Sequence, residues 1–141
     1  MNDIKLMNKA ADNIRILAAS MVEKAKSGHP GGAMGGADFV NVLFSEFLVY
    51  DPKNPAWEGR DRYFQDPGHM SPMLYSVLAL AGKFTIDELK EFRQWGSVTP
   101  GHPEVNVMRG IENTSGPLGQ GHTYAVGAAI AAKFLKARLG D

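Results

Sequence analysis

Arg60-Asp61-Arg62-Tyr63-Phe64-Gln65 is the best strand candidate in the sequence, and Asp66-Pro67-Gly68 closes it with a turn. It is short, and no second stretch offers it a partner. An unpaired strand is not stable alone. Working outward, the rest reads as helix or loop. Upstream, residues 36–47 form a helix with Phe39, Val42, Leu43, Phe44 and Phe47 on one apolar side. Residues 3–26 form another, in which Ile4, Met7, Ala11, Ile14, Ala18, Met21 and Ala25 recur at steps of three and four. Asp3 caps it, and Ser27-Gly28-His29-Pro30 ends it. Downstream, Ser71-Pro72 opens a helix over 71–82, and Thr85 with Glu88 forms a capping box that opens a fourth. A last helix runs from about Leu118 to Leu139, after a long loop region over 95–121 rich in Gly, Pro, Ser and Thr. One strand candidate among five helices predicts the α/β class with only its front part present. Residues 1–141 are then a partial domain, mostly helical, with at most one or two short strands. Apolar surface made for the missing sheet is expected to be exposed and to promote self-association.

The composition narrows the function classes. Lys+Arg and Asp+Glu are 15 each, so the net charge is zero and no basic excess exists to neutralise a nucleic-acid backbone. The chain has no cysteine, which removes disulfides, thiolate metal sites and a Cys nucleophile together and fits a reducing, cytoplasmic setting. No apolar run approaches the ~20 residues that span a bilayer, and the N-terminal stretch reads as an amphipathic helix rather than a signal peptide. Glycine is the abnormal residue, at 16 of 141. Trp57, Trp95, Met70 and Met73 read as ordinary packing.

Each of the four histidines directly follows a glycine: Gly28-His29, Gly68-His69, Gly101-His102 and Gly121-His122. Glycine there allows a sharp turn and close approach of a ligand. Zinc is disfavoured, because the histidines lie 40, 33 and 20 residues apart with no HxxxH or HExxH spacing. No GxSxG marks a serine hydrolase. Glu46, Glu58, Asp61 and Asp66 show no paired-carboxylate pattern and read as solvated or capping groups. Anion or cofactor binding fits better. Gly28-His29-Pro30-Gly31-Gly32 and Gly116-Pro117-Leu118-Gly119-Gln120-Gly121 both precede helices, whose exposed N–H groups favour negative charge. Neither is a Walker loop or a GxGxxG fingerprint, and either alone reads as a plain structural turn.

Taken in order, four motifs closely resemble the amino-terminal portion of transketolase over roughly residues 8–139. They are Ser27-Gly28-His29-Pro30-Gly31, Asp61-Arg62-Tyr63-Phe64 with Pro67-Gly68-His69, Thr99-Pro100-Gly101-His102-Pro103-Glu104, and Thr114-Ser115-Gly116-Pro117-Leu118-Gly119-Gln120-Gly121. The resemblance implies the front part of a thiamin-diphosphate-binding fold. It implies transfer of a two-carbon ketol unit between sugar phosphates, with thiamin diphosphate and a divalent cation (Mg or Ca) in the full enzyme. By the same resemblance, His29 and His102 face the reacting carbons as catalytic residues. His69 stands at the cofactor diphosphate, and the backbone of Gly116 and Leu118 meets the aminopyrimidine. Neutral imidazoles both donate and accept as protons move.

The sequence departs from the family at Pro67, where a polar or basic residue is usual, and at His122, where an apolar one is usual. The family's metal-binding Gly-Asp-Gly and later Asn are absent, so no metal ligand is assigned here. The activating glutamate and the acceptor phosphate site belong to later domains. Partners implied are the remaining transketolase domains or a separate carboxy-terminal chain, and a second subunit in a homo-oligomer. Three readings remain open at this point: part of an enzyme active when complemented, a non-catalytic fragment or helical interaction module, and an unrelated small-anion-binding domain.

Overall fold

The computed structural model describes residues 2–140. Its α-helices are α1 (Ile4–Ala25), α2 (Pro30–Gly35), α3 (Ala37–Val42), α4 (Ser71–Leu80), α5 (Ile86–Lys90) and α6 (Gln120–Leu139). A π-helical turn, Leu43–Phe47, extends α3, and 3-10 turns occupy Gly68–Met70 and Val107–Arg109. Among the described residues there is no strand, only an isolated antiparallel bridge between Asn106 and Ile111.

Helix α1 starts where Asp3 Oδ1 accepts from the Lys5 and Leu6 N–H groups at 2.7 and 3.1 Å. Its periodic stripe buries Ala11, Ile14, Ala18 and Met21. The left-handed residue that stops it is Lys26 (φ 51°), not a glycine. Helix α4 forms the centre of the molecule, with every residue from Ser71 to Leu78 buried. Ile14, Ala18, Val40, Phe44, Leu74, Tyr75, Leu78, Phe84, Leu89 and Phe92 close one core around it. Each large side chain buried there contributes roughly 1.5–3 kcal/mol. The capping box at α5 forms as expected: Thr85 Oγ1 accepts from the Glu88 N–H at 3.2 Å, and Glu88 Oε2 accepts from the Thr85 N–H at 2.8 Å.

Several expectations need correction. Arg60–Gln65 is not a strand. Its backbone is held by other means: the Asp61 N–H donates to Val49 O at 2.8 Å, and the Val49 N–H donates to the Asp61 carboxylate at 2.9 Å. The Gln65 N–H donates to Asn113 Oδ1 at 3.0 Å, and Asn113 Nδ2 donates back to Gln65 O at 3.3 Å. One amide side chain thus does here what a neighbouring strand does in a sheet. The helix expected over 36–47 forms as α3 with its π-helical turn, and a separate short helix the sequence reading did not expect, α2, precedes it, because Pro30 suits a first helical position. Two glycines here face sulfur-bearing side chains closely: a Cβ at Gly32 in α2 would meet Met70 at 3.0 Å, and one at Gly36, just past its end, would meet Met73 Sδ at 2.6 Å. Trp95 is fully exposed in a turn, and Trp57 is more than a third exposed, so neither serves the core.

Helix α6 stands apart. Gly121 is its sole buried residue among those described. Tyr124, Val126, Ile130, Phe134, Leu135 and Leu139 are all exposed along it. Among the described residues, no helix is long and apolar enough to cross a membrane.

Candidate functional site

Three of the histidines converge. His29 precedes α2 as its N-cap residue, in an extended conformation. His69 lies in the 3-10 turn that leads into α4. Their ring centroids are 4.7 Å apart, with the planes tilted by 45°. His102 lies on the loop after Gly101, close enough for both other rings to act on it. Its pKa is pushed down, first by burial, then by the Arg93 guanidinium, then by His69 and His29. A lowered value keeps the imidazole neutral, able to accept at one nitrogen and donate at the other.

The core fixes this arrangement. Ser71 Oγ donates to Gly101 O at 2.7 Å, and Tyr75 OH donates to Pro100 O at 2.8 Å. So α4 pins the His102 loop from below while carrying His69 at its own start. Burial raises the Tyr75 hydroxyl well above the usual phenol range, which keeps it a donor at any working pH.

Gly116 joins the group through its neighbour. The Ser115 N–H donates to Pro103 O at 3.0 Å, tying the Gly116 loop to the His102 loop. Gly68 crosses Ser115 so closely that a Cβ there would lie 2.7 Å from Ser115 O. Ser115 Oγ is buried and has no hydrogen-bond partner. At Gly116 a Cβ would meet nothing within 4 Å, so its backbone faces open space. Leu118 lies further along the same loop, with its side chain largely exposed. Thus His29, His69, His102 and the Ser115-Gly116 backbone form one region, and Leu118 stands at its edge.

His122 turns to a different partner. Its Nδ1 lies 2.7 Å from Asp66 Oδ2, and the other oxygen of that buried carboxylate accepts the Gly119 N–H at 3.2 Å. Asp66 therefore caps α6 from a distant part of the chain. The sequence hinted at this only in the turn Asp66-Pro67-Gly68. Sequence reasoning missed Arg93 altogether and named Ser27 only as a helix end and motif residue; Arg93 Nη1 donates to Ser27 Oγ at 3.0 Å. Both line a cleft of ≈ 1020 Å³ that also reaches Trp95, His102, Asn106 and Arg109. The cleft meets the histidine cluster on the His102 side only. Among the described residues, no three His, Cys, Asp or Glu side chains are placed together to hold a metal ion.

Comparison with known proteins gives a consistent result. The family profile described as "Transketolase, thiamine diphosphate binding domain" matches residues 6–141. Transketolase-1, chloroplastic, of Arabidopsis thaliana is 52% identical over 138 residues, covering 96% of this chain and 19% of that protein. Transketolase 1 of Escherichia coli (strain K12) is 53% identical over 129 residues, covering 91% of this chain and 20% of that protein. Among solved structures, the transketolase from Campylobacter jejuni superposes with a TM-score of 0.92 at 48% identity, over 99% of this chain and 22% of its own. The transketolase from Leishmania mexicana gives 0.90 at 48% identity, over 96% of this chain and 20% of its own. The chain thus spans about a fifth of the length of the relatives it matches.

Proposed function

Since the chain belongs to the transketolase family and lies within its thiamine diphosphate binding domain, we propose that it supplies one wall of a transketolase active site. With the remaining domains provided, that site moves a two-carbon ketol unit between sugar phosphates. The observation that carries the reading is the convergence of His29, His69 and His102 beside an open glycine backbone. The residues suit the cofactor: neutral imidazoles, an unpartnered buried hydroxyl at Ser115 and free space at Gly116 answer to a polar, multiply charged ligand. When bound, thiamin diphosphate supplies the stabilised carbanion that this chemistry needs.

The chain's own residues bind and orient. His69, at the 3-10 turn, holds the diphosphate end, and the backbone of Gly116 and Leu118 seats the aminopyrimidine. His29 and His102 hydrogen-bond the donor-sugar oxygens, and a neutral His102 takes or returns a proton there. The divalent cation takes its ligands from the remaining segments of the domain. A cytoplasmic location, the remaining domains (or a separate carboxy-terminal chain) and assembly as a homo-oligomer belong to the same proposal. The exposed apolar residues of α6 support it.

The test is ketol transfer between sugar phosphates, measured with this chain alone and with the missing domains added. Transfer is expected only in the second case, and it is expected to fall in His29→Ala and His102→Ala. No transfer under either condition favours the alternative of a non-catalytic fragment. Transfer undiminished in both variants sinks the assignment of the histidines. Titration of the chain with thiamin diphosphate, with and without magnesium, separates binding from turnover. Magnesium-dependent binding by the chain alone contradicts the placement of the cation ligands elsewhere.

A further inference from the structure

We propose that Arg93 is a positioning residue of this site, a guanidinium that bridges the loop entering His29 and the loop carrying His102. Four observations lead there. Arg93 adopts φ 62°, a left-handed conformation that a bulky side chain rarely takes. Such outliers persist where the surroundings hold them, and they gather at functional sites. Its backbone N–H donates to Thr99 O at 3.0 Å, which fixes the start of the Thr99–His102 segment. At the other end of the side chain, Nη1 donates to Ser27 Oγ at 3.0 Å, two residues before His29. Between these ends the side chain lies against Gly101: a Cβ there would come within 2.7 Å of Nε and 2.9 Å of Cζ. Gly101 is therefore the space Arg93 occupies, and its next residue is His102.

The cation is also unusual in what it lacks. Among the described residues no carboxylate pairs with it, and its Nε is buried with no acceptor. No ion pair therefore offsets its positive charge beside the neighbouring imidazoles. The titratable and charged groups around His102 are Arg93 after α5, His29 at α2, His69 before α4, Glu104 on its own loop and Arg109 across the cleft. Burial lowers the His102 pKa first, and the Arg93 guanidinium lowers it next, ahead of His69 and His29. Arg93 thus acts on two properties together: it ties the two histidine loops, and it adds to the burial that disfavours the charged form of the histidine on one of them.

This inference rests on His29 and His102 being the histidines of the site, but its test does not depend on turnover. The imidazole signals of the isotope-labelled chain are followed by NMR through a pH titration, in the parent and in Arg93→Gln, Arg93→Lys and Ser27→Ala. In Arg93→Gln the midpoint of His102 should rise, and the signals of both His29 and His102 should move. Arg93→Lys restores the charge without the planar fork, so the midpoint should return toward the parent value while the signals stay displaced. Ser27→Ala leaves the charge in place and should displace His29 alone. The proposal is overturned by an unchanged His102 midpoint in Arg93→Gln. It is equally overturned by an equal rise in Arg93→Lys, which marks general loosening, or by an unmoved His29 in Ser27→Ala. If Arg93→Gln loses its dispersed spectrum, the Ser27→Ala result decides. Absent ketol transfer with the expected titration shifts defeats the functional reading and leaves the positioning role standing. The reverse pattern does the opposite.

Discussion

Replacing Glu112 with Gln removes one charge from a buried pair and tests how the extended segment 60–65 is held. Arg60 Nε donates to Glu112 Oε1 at 2.7 Å and Nη2 to Oε2 at 3.1 Å, while Nη1 donates to Trp57 O at 2.8 Å. The two side chains are only 9% and 10% exposed. Removing one partner of such a pair leaves an uncompensated buried charge and costs about 3–5 kcal/mol. The Gln carbonyl retains one of the two bonds, so a loss of about 3 kcal/mol is expected. Unfolding entropy of about 2.1 cal/mol/K per residue over this length gives roughly 0.3 kcal/mol per degree, hence a fall in Tm of about 10 °C. Thermal melts followed by circular dichroism at neutral pH read this directly. Urea titration checks that the slope, and so the exposed surface, is unchanged. A double variant, Arg60→Met with Glu112→Met, removes both charges and should recover most of the loss. A fall of less than about 3 °C in Glu112→Gln, or no recovery in the double variant, would refute the reasoning. Because Glu112 adjoins Asn113, which holds Gln65, the signals of His69 should move in the single variant as well.

Gly68→Ala forces a Cβ against the Ser115 backbone, so it should cost about 1–3 kcal/mol and lower Tm by about 3–10 °C, read by the same melts. A Tm equal to the parent's removes the close crossing from the account. The Glu88 carboxyl is held down at about 2 by its bond to Arg109 and by the Thr85 N–H. A depressed folded value contributes stability above the ordinary carboxylate range and loses it as pH falls from about 4.5 through about 2. The stability gap between the parent and Arg109→Met should therefore narrow over that window, and a gap equal at pH 7 and pH 2 contradicts it. Finally, the exposed apolar side chains of α6 should make the chain self-associate as its concentration rises, by sedimentation velocity. A single monomeric species throughout overturns that expectation.

The helical elements were legible where local chemistry decides. Asp3 caps α1, the Ala11, Ile14, Ala18 and Met21 stripe is its buried face, and Thr85 with Glu88 starts α5. Arg60–Gln65 misled because its composition suits an extended backbone, while what partners that backbone is Asn113, 48 residues away and of no strand-like sequence. Gly31 and Gly32 read as a turn although both lie in α2, and the contact of Gly32 with Met70 is tertiary. The Gly-His pairs singled out His29, His69 and His102, and the structure brings those three together. His122 shares the pattern without the place, since Asp66 holds it at the start of α6. Arg93 gave no sign at all: its φ and its bond to Ser27 exist only once the loops have met.

Among the described residues, every buried apolar side chain falls between Ala11 and Ile111. The chain is made in order, at about 5–20 residues per second, whereas helix-rich cores with local contacts form in microseconds to milliseconds. Released chains ending at residue 115 should accordingly resist protease, and degradation equal to that of a chain ending before α4 would argue otherwise. The histidine cluster then needs no part of α6, and the late helix joins as an addition to a finished surface rather than as a condition for it.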